Sequence, residues 1–314
     1  MAVSRCNGPN LEYILLPKAV GYLIIFFPIV NMVNEWWVTR RGFAYGIITG
    51  ASGVSGVAYP FILEALLARY GFRTTLRSLA VATALLTMPL LPFIKGRLPP
   101  SRSNNLSRTD WTFIREPLFW WYAVSTIAQS LGFFLPGLYL PSYAAATGLG
   151  PRIGALLIAI MSVAQVLGSF TYGHLSDGRW PLNILLVSSS LVAAIASLTL
   201  WGLARSVAPL VLFAAIYGFF AYAYLAMRMR MGTATGADSN AAFASFCFLS
   251  SIQGIGNVLA GPISGALLGP VLNFDDYGHL QYKPMVIFTG CTMVASVCAV
   301  AMSSTRSMKF AFRS

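Results

Sequence analysis

Apolar positions along this chain come in long blocks, neither alternating as in a strand nor confined to one helical face. Nine such blocks stand out, at 19–37, 43–69, 76–94, 117–141, 152–172, 182–203, 207–227, 242–269 and 285–304. A block of about 20 residues crosses a hydrocarbon core of about 30 Å at roughly 1.5 Å per residue. Breakers fall between the blocks: Gly71, Gly96, Pro99, Pro100, Pro151, Gly178, Pro181 and Gly232 sit in the gaps, where turns need them. The pattern predicts an all-α, polytopic membrane protein with nine transmembrane helices. Pro28, Pro60 and Pro89 lie inside blocks and are expected to kink their helices, which neighbours in a bundle tolerate.

The gaps divide the chain further. Residues 95–116, KGRLPPSRSNNLSRTDWTFIRE, are rich in Ser, Asn, Pro and Arg and offer little to bury, so they are expected to connect two helical bundles flexibly. Three spans precede this stretch and six follow. The expected organisation is a partial N-terminal bundle over 1–94, a central cytoplasmic loop over 95–116, a six-helix bundle over 117–304 and a cytoplasmic tail over 305–314. Residues 270–284, with Asp275, Asp276 and His279, read as a solvated loop. An internal repeat supports the layout. Gly46, Gly50, Gly53 and Gly56 stud the second span, and Gly254, Gly256, Gly261, Gly265 and Gly269 stud the eighth. Each stripe follows a basic, glycine-bearing approach, TRRG at 39–42 and MRMRMG at 227–232. A six-helix repeat is implied, whose first copy is three helices short.

Composition agrees. Hydrophobic residues make up 57% of the 314, charged residues 10%, and mean hydropathy is +0.69; soluble domains carry roughly 25% charged residues. The formal charge of +12 does not point to nucleic acid, because the basic residues fall in short gaps and not on one face interleaved with stacking aromatics. They report orientation instead. With 38–42 in the cytoplasm, 95–116, 173–181, 228–241 and the tail lie there too, and together hold 13 of the 21 basic residues. The amino terminus is then outside and the carboxyl terminus inside. Cys6, Cys247, Cys291 and Cys298 lack metal-ligand spacing and read as small core residues. No cleavable leader is visible before residue 19, so the first span is expected to act as its own insertion signal. The sequence does not say which membrane receives it.

The stretch NEWWVTRRGFAYGIITGASGVSG, residues 34–56, concentrates these signals. Trp36 and Trp37 suit a headgroup boundary, and Arg40 and Arg41 suit the phosphates beyond it. The glycines, Gly46 and Gly50 among them, let a neighbouring backbone approach, as do Gly261 and Gly265 in the eighth span. Topology and packing account for all of this, and a smooth glycine face can also slide or rock.

These residues resemble the signature of the fifth helix in monocarboxylate-transporter-like members of the major facilitator superfamily, in its fungal form: two aromatics, two basic residues, then a small-residue run with Ala44-Tyr45-Gly46. GHLSDGRWP, residues 173–181, is similar to the superfamily's cytoplasmic loop motif. The resemblance covers most of 19–304. It implies a major facilitator fold with an incomplete N-terminal bundle, and two bundles that rock about a central site to expose it alternately to each side. It also implies that Gly173 permits close helix approach while Asp177 and Arg179 make loop contacts that lock one state. A helix cap is the plainer role for Asp177, and the two are compatible. The family's proton-coupling Asp and substrate-binding Arg match Gln165 and Ser169 here, neither of which titrates near neutral pH. The family's substrate-linked lysine belongs to a first helix that this chain is expected to lack.

Polar residues inside spans are costly and draw attention. Asn31, Gln129, Gln165, Gln253 and Asn257, with the hydroxyls of Tyr139 and Tyr217, are the candidates for a solute pathway; hydrogen bonding between helices is the plainer account of each. Glu64 lies near the outer end of the second span, close to Arg69, and reads as half of an interfacial ion pair; Glu35 lies at a boundary. Enzyme readings find no support. His174 and His279 are far apart in loops, no cluster suits a metal, and neither a GxSxG elbow nor a phosphate-binding glycine loop occurs. No cofactor is implied. The expected partners are the bilayer and a small solute, with a coupled ion open. Two readings follow: a carrier of a small organic solute, or a shortened relative that no longer transports and persists as a scaffold or an incomplete gene model. The orientation has a direct test. A cysteine placed at Ser103 is expected to escape impermeant thiol reagents applied to intact cells, and strong labelling reverses the assignment.

Overall fold

Glycine and proline set where helices begin and break in the computed structural model, which describes residues 9–37, 40–93, 111–178, 180–204, 206–236, 239–268 and 282–311. Helix α1 covers Pro9–Trp36 and α2 covers Arg41–Thr87. The second and third sequence spans both lie on α2. At Gly71 the backbone leaves helical geometry (φ 70°, ψ 172°), a left-handed turn that glycine adopts without the strain of a Cβ, and helix resumes beyond it. A 3₁₀ segment, Met88–Phe93, ends the run. Pro89 therefore sits in a tightened terminal turn and does not kink an α-helix, and Pro60 leaves α2 helical.

The remaining helices are α3 (Pro117–Ala146), α4 (Pro151–Ser176), α5 (Leu182–Ala196), α6 (Val207–Ala226), α7 (Arg228–Thr235), α8 (Ser239–Leu267) and α9 (Lys283–Ala311). Proline opens both α3 and α4, where its missing N–H costs nothing. Residues 228–241, expected as loop, instead begin with α7. Its Met229, Met231 and Gly232 are buried, and Gly232 admits the Ala242 carbonyl and Phe246 of α8. Burial of this methionine-rich face outweighs the local charge. Most of the expected central loop, and residues 270–281 of the expected second loop, lie outside the described residues. Trp111–Arg115 forms a 3₁₀ turn anchored by buried Phe113.

Among the described residues, six helices are long and apolar enough to cross a membrane: Pro117–Ala146, Arg152–Ser176, Leu182–Trp201, Val207–Thr235, Asn240–Leu267 and Lys283–Ser303. They coincide with the last six sequence spans. Leu23–Val33 is a shorter apolar helical stretch within α1. In the core, Trp201 stacks on Phe213 (5.4 Å, 21°), and the Tyr143 hydroxyl donates to the Ala204 carbonyl at 3.0 Å. Ser125 of α3 shares hydrogen bonds of 2.8 Å with Tyr224 of α6 and Ser296 of α9. Lipid offers such hydroxyls no water, so they satisfy one another across helices.

The contact between α2 and α4 is made by backbone. A Cβ added at Gly46 would stand 2.6 Å from the Ser169 carbonyl oxygen, and one at Gly173 would stand 2.8 Å from the Gly42 carbonyl and 3.2 Å from Gly46 Cα. Gly50 lies against the Phe170 ring at 3.4 Å. Gly261 and Gly265, expected to pack in the same way, have no described atom within 4 Å of a Cβ position. The reason is helical phase. The face of α8 that buries Gln253, Gly256, Ala260 and Ser264 turns inward, with Gly256 against Ser130 of α3, and Gly261 and Gly265 lie on the other side. Gly46→Val is expected to lower stability by about 1–3 kcal/mol through overpacking, seen as a lower thermal unfolding midpoint in detergent. Gly261→Val should shift the midpoint far less; equal shifts would contradict the packing described.

Candidate functional site

A cavity of about 810 Å³ opens between α1, α2, α3, α4, α6, α7 and α8. Phe26 and Phe27 of α1, Phe133 and Phe134 of α3, and Tyr222 of α6 give it aromatic walls. Phe133 and Tyr222 meet edge to face with centroids 4.5 Å apart. One face of α8 supplies Ser250, Gln253, Gly254 and Asn257, a spacing that aligns side chains along a helix. Across from it, Gln165 of α4 donates from Nε2 to Ser52 Oγ of α2 at 2.8 Å. Arg228, only 4% exposed, also lines the cavity. Ser250 Oγ and Asn257 Oδ1 are buried without a hydrogen-bond partner.

Toward the end where α2 begins and α4 finishes, an apolar cluster floors the cavity. Val30 of α1, Tyr45 of α2, Met229 of α7 and Phe246 of α8 pack together, with Tyr45 edge-on to Phe246 at 5.3 Å. Below it lies a latch. The first N–H groups of α2 have no capping side chain from their own chain segment. Asp177, just past α4, supplies the cap from outside: Gly42 N–H donates to its Oδ1 at 2.8 Å and Phe43 N–H to its Oδ2 at 2.7 Å. A carboxylate at this position also faces the positive end of the helix dipole. Arg230 of α7 completes the group, donating from Nε to the Ser176 carbonyl at 3.1 Å and lying 3.8 Å from Asp177 Oδ1. Gly173 makes this possible, because a side chain there would strike Gly42.

Of the pathway candidates, the structure brings Gln165, Gln253 and Asn257 to the cavity. The others lie elsewhere. Asn31 is exposed and donates to Glu35 at 3.3 Å. Gln129 is fully buried between α3 and α6, donating to the Ala221 carbonyl at 3.4 Å. Tyr139 bonds Ser264 at 3.0 Å and Tyr217 donates to the Phe133 carbonyl at 3.3 Å, so both tie helices together. Arg40 is exposed and Arg41 half-buried beside the latch; Arg179 lies outside the described residues. Ser169 is buried under α2 with its hydroxyl unpartnered. Sequence reasoning missed Arg228, Arg230, Tyr45, Phe246 and Ser250. The arginines flank buried methionines in MRMRM, and that alternation was the available signal.

Helices long and apolar enough to cross a membrane surround a partly polar cavity, with a latch at one end. The profile of the Major Facilitator Superfamily matches residues 19–237, and the chain belongs to that superfamily. It is similar to MFS transporter asaE of Aspergillus flavus (27% identity over 279 residues, 88% of this chain and 62% of that one) and to MFS-type transporter 1 of an Ophiocordyceps species (27% over 285 residues, 90% and 61%). It is also similar to the agnestins efflux protein AgnL12 of Paecilomyces divaricatus (25% over 281 residues, 88% and 60%). The chain spans about three fifths of the length of these relatives. It is an integral, multi-pass membrane protein of a transporter family.

The latch predicts a local signature. Asp177→Ala removes two charge-assisted hydrogen bonds, each worth about 1.5–3 kcal/mol, and is expected to speed amide hydrogen exchange at Gly42 and Phe43. Asp177→Asn, which keeps one acceptor, should fall between.

Proposed function

We propose that the chain carries a small organic solute across the membrane by alternating access. The observation that carries this reading is the placement of the floor and latch. Tyr45–Phe246 and Asp177–α2 both join the helices before residue 95 to those after 116. Separating these two groups of helices opens the cavity at the latch end, and bringing them together closes it. The proposed moving parts are the three spans within 1–94 and the six-helix bundle of 117–304, linked by 95–116, with the amino terminus outside and the latch on the cytoplasmic side. The efflux named for one relative supports outward movement of the solute.

None of the described residues lining the cavity is a carboxylate or an imidazole. By the resemblance, Gln165 and Ser169 match the positions where the monocarboxylate-transporter-like branch places its charged Asp and Arg, so the proposal does not extend to proton-coupled monocarboxylate uptake. A coupled ion is not part of it.

Cysteines replacing Tyr45 and Phe246, in a background freed of native cysteines, are expected to crosslink. Once crosslinked, a third cysteine at Ser251 should react with impermeant reagents from the outside only. Reaction from the cytoplasmic face of the crosslinked protein overturns alternating access.

A further inference from the structure

We infer that Gln165 reads a hydrogen-bond donor on the solute, so that the cavity takes a flat aromatic molecule carrying hydroxyl or N–H groups toward its ends. The inference rests on the solute-carrying reading of this cavity and assigns its substrate class.

Three observations carry it. First, α2 orients the Gln165 amide. Ser52 Oγ donates its one proton to the Thr49 carbonyl at 2.6 Å, and a carbonyl can only accept. Toward Gln165 the Ser52 hydroxyl is therefore an acceptor, which fixes Nε2 as the amide atom 2.8 Å away and leaves the carbonyl Oε1 on the other side. Gly53 leaves room for the amide to lie against α2, since a Cβ there would stand 3.4 Å from Gln165 Cδ. Gln165 lines the cavity, and its Oε1 accepts no hydrogen bond among the described residues. This wall thus offers an acceptor in a fixed orientation. Second, α8 offers another. Asn257 lines the cavity too, and its Oδ1 is buried without a hydrogen-bond partner. The two amides belong to different helices, α4 and α8, so a solute lying between them meets an acceptor toward each end. Third, the space between is aromatic and roomy. Phe26 of α1, Phe133 of α3 and Tyr222 of α6 bring rings from three helices, and aromatic side chains pair favourably with a further ring by stacking or edge to face. At about 810 Å³ the cavity falls within the roughly 300–1,000 Å³ that hold drug-sized ligands.

The test titrates the full chain in lipid nanodiscs with 2,6-dihydroxynaphthalene and with its dimethyl ether, counting binding above that of empty discs. The two probes share one ring system and differ in their donors. Phenols ionise near pH 10, so at pH 7 both probes are uncharged and meet the charge of Arg228 alike. The diol is expected to bind about tenfold more tightly, as two neutral hydrogen bonds would give. Gln165→Leu should cut that preference to about threefold or less. Ser52→Ala gives a signature that a merely loosened cavity would not. It frees the amide to turn its NH₂ group inward, so the ether, which carries only acceptors, should bind more tightly than it does to the unmodified chain. Equal affinities in the unmodified chain, or no binding of either probe, overturn the inference without any need for the variants. A preference left whole in a folded Gln165→Leu protein overturns it as well, and so does an ether affinity that fails to rise in Ser52→Ala. Binding at equilibrium requires no turnover, so failure here leaves alternating access standing, and failure of the crosslinking test leaves the binding result standing.

Discussion

Gly46 of α2 lies directly against the Ser169 carbonyl and Gly173 of α4, and Gly42 lies against the Gly173 carbonyl and the Ser176 and Asp177 side chains. That closeness places the rest of the site. It brings the first amides of α2 within hydrogen-bonding distance of Asp177, which belongs to the far end of α4. One to two turns further along, it brings Ser52 to Gln165 and fixes one wall of the cavity. A single methyl group at Gly46 would meet a carbonyl oxygen at 2.6 Å, so the helices would have to separate and the latch would lose its register.

Polar groups divide into two populations. Several in the body of the helical bundle are closed off by one another, Ser125 with Tyr224 and Ser296, Tyr139 with Ser264, Tyr217 with a backbone carbonyl, while others there, such as Ser169 Oγ, Ser190 Oγ and Thr289 Oγ1, have no hydrogen-bond partner. Those on the cavity face of α8 are incomplete, as the Ser250 hydroxyl and Asn257 carbonyl oxygen show. In a medium that supplies no hydrogen bonds, the closed groups tie helices together. The same helix shows both behaviours, because its buried faces meet different surroundings.

How much of this was readable from residues alone follows from the same physics. The last six spans were legible because lipid demands long apolar runs and tolerates little else. The cap role of Asp177 was legible because a carboxylate beside a helix end suits unpaired helix amides, and it is the first amides of α2 that it meets. Gln165, Gln253 and Asn257 reached the cavity while Asn31, Gln129, Tyr139 and Tyr217 did not: a polar residue in an apolar run announces a partner without saying which face it occupies. The two glycine stripes look alike in sequence, yet Gly46 meets a helix and Gly261 meets no described atom, since a stripe records how close a neighbour can come and does not itself place one there. Arg228 escaped because a positive charge between spans reads as a topological marker. Only the fold of α7, which buries the methionines on either side of it, turns that charge inward.

Helix α7 follows α6 after a break at Met227, and its first three residues are Arg228, Met229 and Arg230. In succession they meet the cavity, its floor and the Asp177 latch. Consecutive residues of one helical turn share a single rigid backbone, so a tilt of that turn displaces all three together. Under the alternating access proposed above, chamber, trapdoor and bolt would ride on one hinge leaf, with no separate relay between them.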